Sequence, residues 1–354
     1  MIPESWRRAA LTPPPAWGAP LGNGVMRATP EDFQVDEILG FAAGGEGPHA
    51  LLHVRKRGAN TEWVARELAR AVGVKPFEVG FAGLKDRNAV TTQYFTVPRG
   101  KRAAEEFTGL AGEGYEVLAA AAHQRKLPRG ALEGNRFAIT VRGLTCDPAE
   151  LELRMQRLAT GGAPNYFGEQ RFGREAGNLE QVLRVAQQIE TRSRERRRRD
   201  DAGFMLSAAR SLIFNAILAE RVAQGTWNRL ASGDVANLDG RGSVFAVDQV
   251  DAELERRCAA LDVHPTAPLA GAGQSLATAN VLALEDAVAA QYPEALSVIH
   301  AEGMKSERRA LRIRVRELTH EYAGDTLRLR FALSAGSFAT TVLREIIVGA
   351  STGE

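Results

Sequence analysis

The 354-residue sequence predicts an α+β protein in which a sheet-rich domain is interrupted by an insertion. Three observations predict it. β-prone runs crowd the chain up to residue 142, helical patterns dominate from residue 148 to residue 224, and period-two alternation returns beyond residue 305.

Taken in order, residues 1–29 are an irregular lead-in broken by Pro13, Pro14 and Pro15. Pro30 precedes an extended stretch, Phe33 to Leu39, and Ala50–Val54 is a hydrophobic strand candidate. Asn60 or Thr61 can start a helix over 61–72, with Trp63, Val64, Leu68, Ala71 and Val72 on one side and Gly73 past its end. A strand near Glu78–Ala82, a polar loop from Gly83 to Asn88 and a β-prone run, Val90–Val97, follow. Tyr115–Ala121 and Arg136–Arg142 read as two more strands. In Asp147-Pro148-Ala149-Glu150 the Asp can cap, the Pro takes the first helical position and the Glu can reach back, so a helix runs from there to Gly161-Gly162. Helical segments over 178–192 and 204–224 come next, then loop-rich sequence to about residue 280. Leu311–Arg316 and Leu327–Phe331 alternate with period two around a Gly324-Asp325 turn, which predicts a hairpin. A last helix, 339–348, is capped by Ser337.

Composition narrows the function. Hydrophobic residues make up 44% and charged residues 25%, which fits a soluble globular chain, and an uninterrupted apolar run of roughly 20 residues is missing. Cys146 and Cys258 stand alone, without disulfide or zinc-site spacing, and point to a reducing cytosol. The 45 basic residues barely outnumber the 43 acidic ones, yet only 6 are lysines, leaving 39 arginines. Arginine suits phosphate and base recognition, and a GC-rich genome would give the same bias. The phosphate-loop, dinucleotide-binding and GxSxG motifs are missing, and the six histidines form no metal pair. ATPase, dehydrogenase, zinc-enzyme and serine-hydrolase readings drop out.

The strongest chemical signal is the loop Ala82 to Gln93, where Asp86 sits between Lys85 and Arg87 just past a strand candidate. Flanking cations favour a carboxylate there, which can be a nucleophile or an electrostatic stabiliser. The plain alternative is an Asx-type turn with solvated neighbours. A second string, Pro164 to Gly173, combines Tyr166, Phe167, Arg171 and amides, which suits base stacking or a packed connector. The third is Gly336 to Thr341, with Phe338 at a helix start.

Together these strings resemble the TruD family of tRNA pseudouridine synthases. Gly83-Leu84-Lys85-Asp86-Arg87 with Val90-Thr91-Thr92-Gln93 is similar to its signature, and Pro30-Glu31-Asp32-Phe33, with Val35 and Glu37, to its N-terminal motif. Gly134-Asn135-Arg136-Phe137, Asn165 to Gly173, Ser207 to Asn215 and Gly336 to Glu345 follow in the family's order, so the resemblance spans about 27 to 349. It implies a pseudouridine-synthase-like mixed, largely antiparallel sheet with flanking helices, built from 1–160 and 305–354. It also implies an inserted α/β domain over 161–304. The implied reaction is isomerisation of uridine to pseudouridine in tRNA, at uridine 13 of the D arm, with no cofactor and no metal. Asp86 would be the catalytic carboxylate, attacking the substrate or abstracting a proton, while Phe33, Asn135, Phe137 and Phe338 would contact an extruded nucleotide. A Lys commonly stands three residues before the family's Pro-Glu-Asp-Phe element; here it is Arg27, which can balance a carboxylate but cannot act as a base. A cytoplasmic monomer without a membrane partner completes the expectation. The alternative from another class is an RNA-binding or RNA-folding protein that keeps the cleft without turnover. Two arginine clusters, Arg192 to Arg199 and Arg312, Arg314, Arg316, Arg328 and Arg330, are candidates for a tRNA track or for solvated faces.

Overall fold

Alternation of apolar and polar residues builds an eleven-stranded sheet in the computed structural model, which describes residues 2–190 and 199–351. The strand order is Arg316–Ala323, Thr326–Ser334, Gly134–Arg142, Phe33–Ile38, Val90–Pro98, His49–Arg57, Tyr115–His123 and Ala111–Gly112. Gly22–Met26 joins Gly134–Arg142 and pairs with Ile347–Ser351, and the short Gly80–Phe81 strand adds to Val90–Pro98. Most pairs are antiparallel; Phe33–Ile38 with Val90–Pro98, and Gly22–Met26 with Ile347–Ser351, are parallel. The sheet is thus mixed and largely antiparallel, as expected. Its strands belong to one compact unit, Leu21–Met155, Val315–Ser337 and Ile347–Glu354.

The central parallel pair sets the later chemistry. Parallel neighbours start at the same end of the sheet. The turns that lead into Phe33 and into Val90 therefore emerge side by side, though more than fifty residues separate them in sequence. The helix Thr61–Val72 lies between these strands in sequence and buries Val64, Leu68 and Val72 against Leu52, Val54 and Phe95. It ends at Gly73, whose φ of 78° is the left-handed conformation that glycine adopts at no cost.

The other compact unit comprises Met1–Pro20, Gln156–Arg314 and Phe338–Ile346. Trp6, Ala9 and Ala10 of the helix Glu4–Leu11 are buried with Leu179 and Val182 of Gly177–Glu190, with Leu212, Phe214 and Ile217 of Arg199–Ala223, and with Val298 of Pro293–Ala301. Within Arg199–Ala223 the stretch Gly203–Ala223 is long and apolar enough to cross a membrane, but 67% of it is buried inside this unit, as in a core helix. The Glu345 carboxylate accepts the backbone N–H groups of Ala16 (3.0 Å) and Trp17 (2.9 Å), which ties the chain's beginning to its end. These contacts explain why 1–20 and 338–346 pack with this unit, whereas the sequence expectation starts the insertion at 161.

Four sequence expectations change. Leu311–Arg316 does not form one strand: Arg312–Ile313 pairs with Ala163–Pro164, and the hairpin runs from Arg316–Ala323 to Thr326–Ser334. Arg312 is buried, its guanidinium donating to His264 Nδ1 and to the carbonyls of Asn228, Cys258 and Val263, so it faces no RNA track. The region read as loop holds three strands, Val244–Ala246, Val235–Leu238 and Val263–Leu269, which form a four-stranded sheet with Glu307–Ala310, and a helix, Ala252–Ala259, capped by Asp251. Val244–Ala246 and Val235–Leu238 are short, and Val263–Leu269 contains Pro265 and Pro268, which hides them. The last helix spans Ala339–Arg344, with Phe338 at its cap position instead of Ser337; the β-branched run Ile346-Ile347-Val348 carries the chain into the strand Ile347–Ser351. Arg192 to Arg198 lie outside the described residues.

Candidate active site around Asp86

The loop between Ala82 and Val90 is held at several points by side chains from the sheet and from the helix Thr61–Val72. Thr61 Oγ1 accepts the Lys85 N–H (3.0 Å) and donates to Gln93 Oε1 (2.9 Å), and Gln93 Nε2 donates to the Gly83 carbonyl (3.3 Å). Lys56 is fully buried, and its ammonium donates to the carbonyls of Ala59 (2.8 Å), Asp86 (2.7 Å) and Lys85 (3.4 Å). The Lys56 ammonium is lowered to about 8, chiefly by burial, with the Asp86 carboxylate pulling it upward and the Lys85 ammonium pushing it down.

The charges do not pair as their sequence order suggests. Lys85 turns inward, its Nζ 2.5 Å from Glu37 Oε2, and both side chains are buried. Glu37 Oε1 accepts the Tyr94 N–H (3.1 Å). Arg87 lies at the surface, with Nε donating to the Gly58 carbonyl at 3.4 Å. The cation at Asp86 is instead Arg27, whose Nη2 is 2.9 Å from Asp86 Oδ2. The Asp86 side chain remains 33% exposed and that of Arg27 16%. Arg27 has φ 57°, a left-handed conformation that costs a non-glycine residue about 1–3 kcal/mol. The guanidinium lies over the Phe33 ring, 4.1 Å from its centroid.

The turn before Phe33 is fixed by Asp32, which accepts the Thr29 N–H (3.1 Å) and a bidentate pair from Arg142. The Arg142 hydrogen bonds hold the Asp32 carboxyl below the usual carboxylate range. On the same face of the sheet, cross-strand register aligns Val35, Phe137 and Phe331, and next to them Glu37, Asn135 and Leu333. Phe33 meets Phe137 edge to face (6.2 Å), and Phe137 stacks on Phe331 (5.3 Å). Asn135 Oδ1 is buried with no hydrogen-bond partner among the described residues. A buried acceptor left without a donor is costly, and in a site it marks where a ligand donor can enter.

Of the residues predicted from sequence, Arg27, Phe33, Asp86, Asn135 and Phe137 fall in one unit, and all but Asn135 are linked in it by direct contacts. Phe338 belongs to the other unit, where it packs against that unit's apolar core. The second string folds as a packed connector: Tyr166, Phe167 and Phe172 are buried, and the Asn215 side chain bonds both the N–H (2.8 Å) and the carbonyl (3.0 Å) of Phe167. Sequence reasoning missed Lys56, Thr61 and the pairing of Lys85 with Glu37. One signal was available for the first of these: a lysine between Arg55 and Arg57 in a chain that otherwise prefers arginine. Among the described residues no group of three or more His, Cys, Asp or Glu is placed to hold a metal ion.

Comparison with known proteins decides the family. A profile described as tRNA pseudouridine synthase D (TruD) matches residues 16–186 and 202–346. This chain belongs to the TruD family. It is 45% identical over 339 residues to the tRNA pseudouridine synthase D of Methylococcus capsulatus, covering 94% of each chain. To that of Pseudomonas aeruginosa it is 43% identical over 346 residues, covering 97% of this chain and 96% of the other. In fold, this TruD-family chain is similar to a crystal structure from Methanosarcina mazei assigned to tRNA pseudouridine synthase D, with a TM-score of 0.71 at 23% identity, over 98% of each chain.

Proposed function

We propose that this TruD-family chain isomerises uridine to pseudouridine in tRNA, at uridine 13 of the D arm, with Asp86 as the catalytic carboxylate. The observation that carries the reading is the placement of Asp86. Its carboxylate is partly exposed and oriented by Arg27, which is itself packed on Phe33. The bond from the sugar to N1 of uracil breaks, the base rotates, C5 of uracil joins the same sugar carbon, and the proton lost from C5 is balanced by one gained at N1. Base and sugar stay together, so the step needs no redox partner. The carboxylate attacks the sugar or takes a proton from it, and both roles use an ionised, accessible oxygen. Arg27 keeps its charge throughout and serves as the ion-pair partner.

The target uridine leaves its stack to reach the carboxylate. Asn135 Oδ1, a buried acceptor without a donor among the described residues, takes a hydrogen bond from the extruded nucleotide, and Phe33 and Phe137 supply apolar contact. In the same reading, 1–160 with 305–354 forms the catalytic domain, 161–304 is the inserted RNA-binding domain, and the enzyme works as a cytoplasmic monomer. The test is incubation with total tRNA followed by mapping of pseudouridine. Pseudouridine at position 13 supports the reading; binding of tRNA without any pseudouridine favours a non-catalytic RNA-binding protein, and free uracil favours a glycosidase.

A further inference from the structure

Lys56 is a buried ammonium held by backbone carbonyls. Its side chain has no measurable exposure, and no carboxylate lies within ion-pair distance of Nζ among the described residues. A buried ammonium is costly, and an apolar side chain of similar length commonly serves stability as well or better. What the ammonium does is local. Two of its three acceptors are the consecutive carbonyls of Lys85 and Asp86, and the third, Ala59, precedes the helix that supplies Thr61. Upstream of the Asp86 carbonyl the loop is steadied at Gly83 and at the N–H of Lys85, and downstream by Arg87 Nε on the Gly58 carbonyl, the Ala89 N–H on the Arg87 carbonyl and the Gly58 N–H on the Ala89 carbonyl. Downstream, Arg87 and Asn88 are exposed.

We propose that Lys56 is a positioning residue for the reaction: from the strand His49–Arg57 it grips the peptide group of Asp86 and so fixes where the carboxylate points. The inference rests on the reading of Asp86 as the catalytic carboxylate. The grip acts through hydrogen bonds from a charged donor, which are shorter and stronger than neutral ones. Two of the three bonds go to the peptide groups on either side of the Asp86 Cα, whose rotation would swing Asp86 off Arg27. Misplacement of a reacting group by about 1 Å can cost roughly 100-fold in rate without weakening binding.

The test uses the full chain with Lys56→Met and Lys56→Gln, and reads kcat, KM, tRNA affinity, melting temperature and amide exchange over residues 84–89. Lys56→Met is expected to lower kcat about tenfold or more, with KM and tRNA affinity within about twofold of the unsubstituted chain. Its melting temperature should be unchanged or higher, and exchange over 84–89 should be faster. Lys56→Gln, which keeps a donor for one carbonyl, should fall between and also serves if the Met variant fails to fold. A folded variant with unsubstituted kcat, or with unchanged exchange over 84–89, overturns the proposal. Asp86→Asn run alongside separates the two readings: turnover by that variant defeats the catalytic assignment, whereas an inactive Asp86→Asn beside a fully active Lys56→Met defeats only the role of Lys56.

Discussion

At the scale of single residues, the site is a set of cations with separate tasks. Lys85 is matched to Glu37, Lys56 to backbone carbonyls, and Arg27 to Asp86. Arg27→Lys should keep most of the activity, since an ammonium can reach the same carboxylate, while Arg27→Met should lower kcat by about tenfold or more, because removing a partner misplaces and destabilises the carboxylate. Steady-state kinetics on tRNA checks both. Phe33 is only 2% exposed and packs on Phe137, so Phe33→Ala should cost about 3–5 kcal/mol of stability, seen as a lower melting temperature, in addition to any loss of binding. Lys56 gives a pH prediction. Its folded value, about 8, lies below the 10.5 of the unfolded chain, so the unfolded state holds the extra proton between those values. Its burden on stability is full below pH 8 and is relieved as pH rises toward 10.5. Relative to Lys56→Met, the unsubstituted chain should therefore gain stability over that window in denaturant titrations. The sequence exposed Asp86, Phe33 and Asn135 because each lies in a dense string of polar and aromatic residues. It hid Lys56 and the pairing of Glu37 with Lys85 because a burial contact is made across strands and leaves no spacing to read.

At the scale of elements, the parallel pair Phe33–Ile38 and Val90–Pro98 does most to assemble the site, by bringing the two turns together. Both strands were legible from β-branched and alternating residues, and Thr61–Val72 from its apolar side and Gly73. Their parallel pairing was not, because nothing local distinguishes a parallel neighbour from an antiparallel one. The short strands of the helix-rich unit and the proline-bearing Val263–Leu269 were lost for the opposite reason, since local signals argued against them. Gly134 offers an element-level test. A Cβ there would run into the Leu333 carbonyl on the neighbouring strand, so the strands can approach only with glycine at this position. Gly134→Ala should cost roughly 1–3 kcal/mol and disturb Asn135 beside it. Calorimetry, with kcat measured on the folded fraction, reads both effects.

At the scale of the whole molecule, two compact units are each built from discontinuous stretches, and family membership was legible because motifs recur in order along nearly the entire chain. The arginine surplus read less well: Arg312 is buried and holds a loop, whereas the Arg328 and Arg330 positions are exposed on the sheet unit. If the exposed pair meets RNA phosphate, replacing both with Ala should weaken tRNA binding. The slope of log K against log salt should then fall by up to about 0.9 for each phosphate no longer neutralised. Arg312→Ala should lower the melting temperature and leave that slope unchanged. The account as a whole turns on Asp86, and one measurement meets it most directly: pseudouridine mapping on tRNA after incubation with the unsubstituted chain and with Asp86→Asn, with tRNA binding measured on both. The prediction is pseudouridine formed by the unsubstituted chain, none by Asp86→Asn, and comparable tRNA affinity for the two. Turnover by Asp86→Asn, or none by either protein, would contradict it.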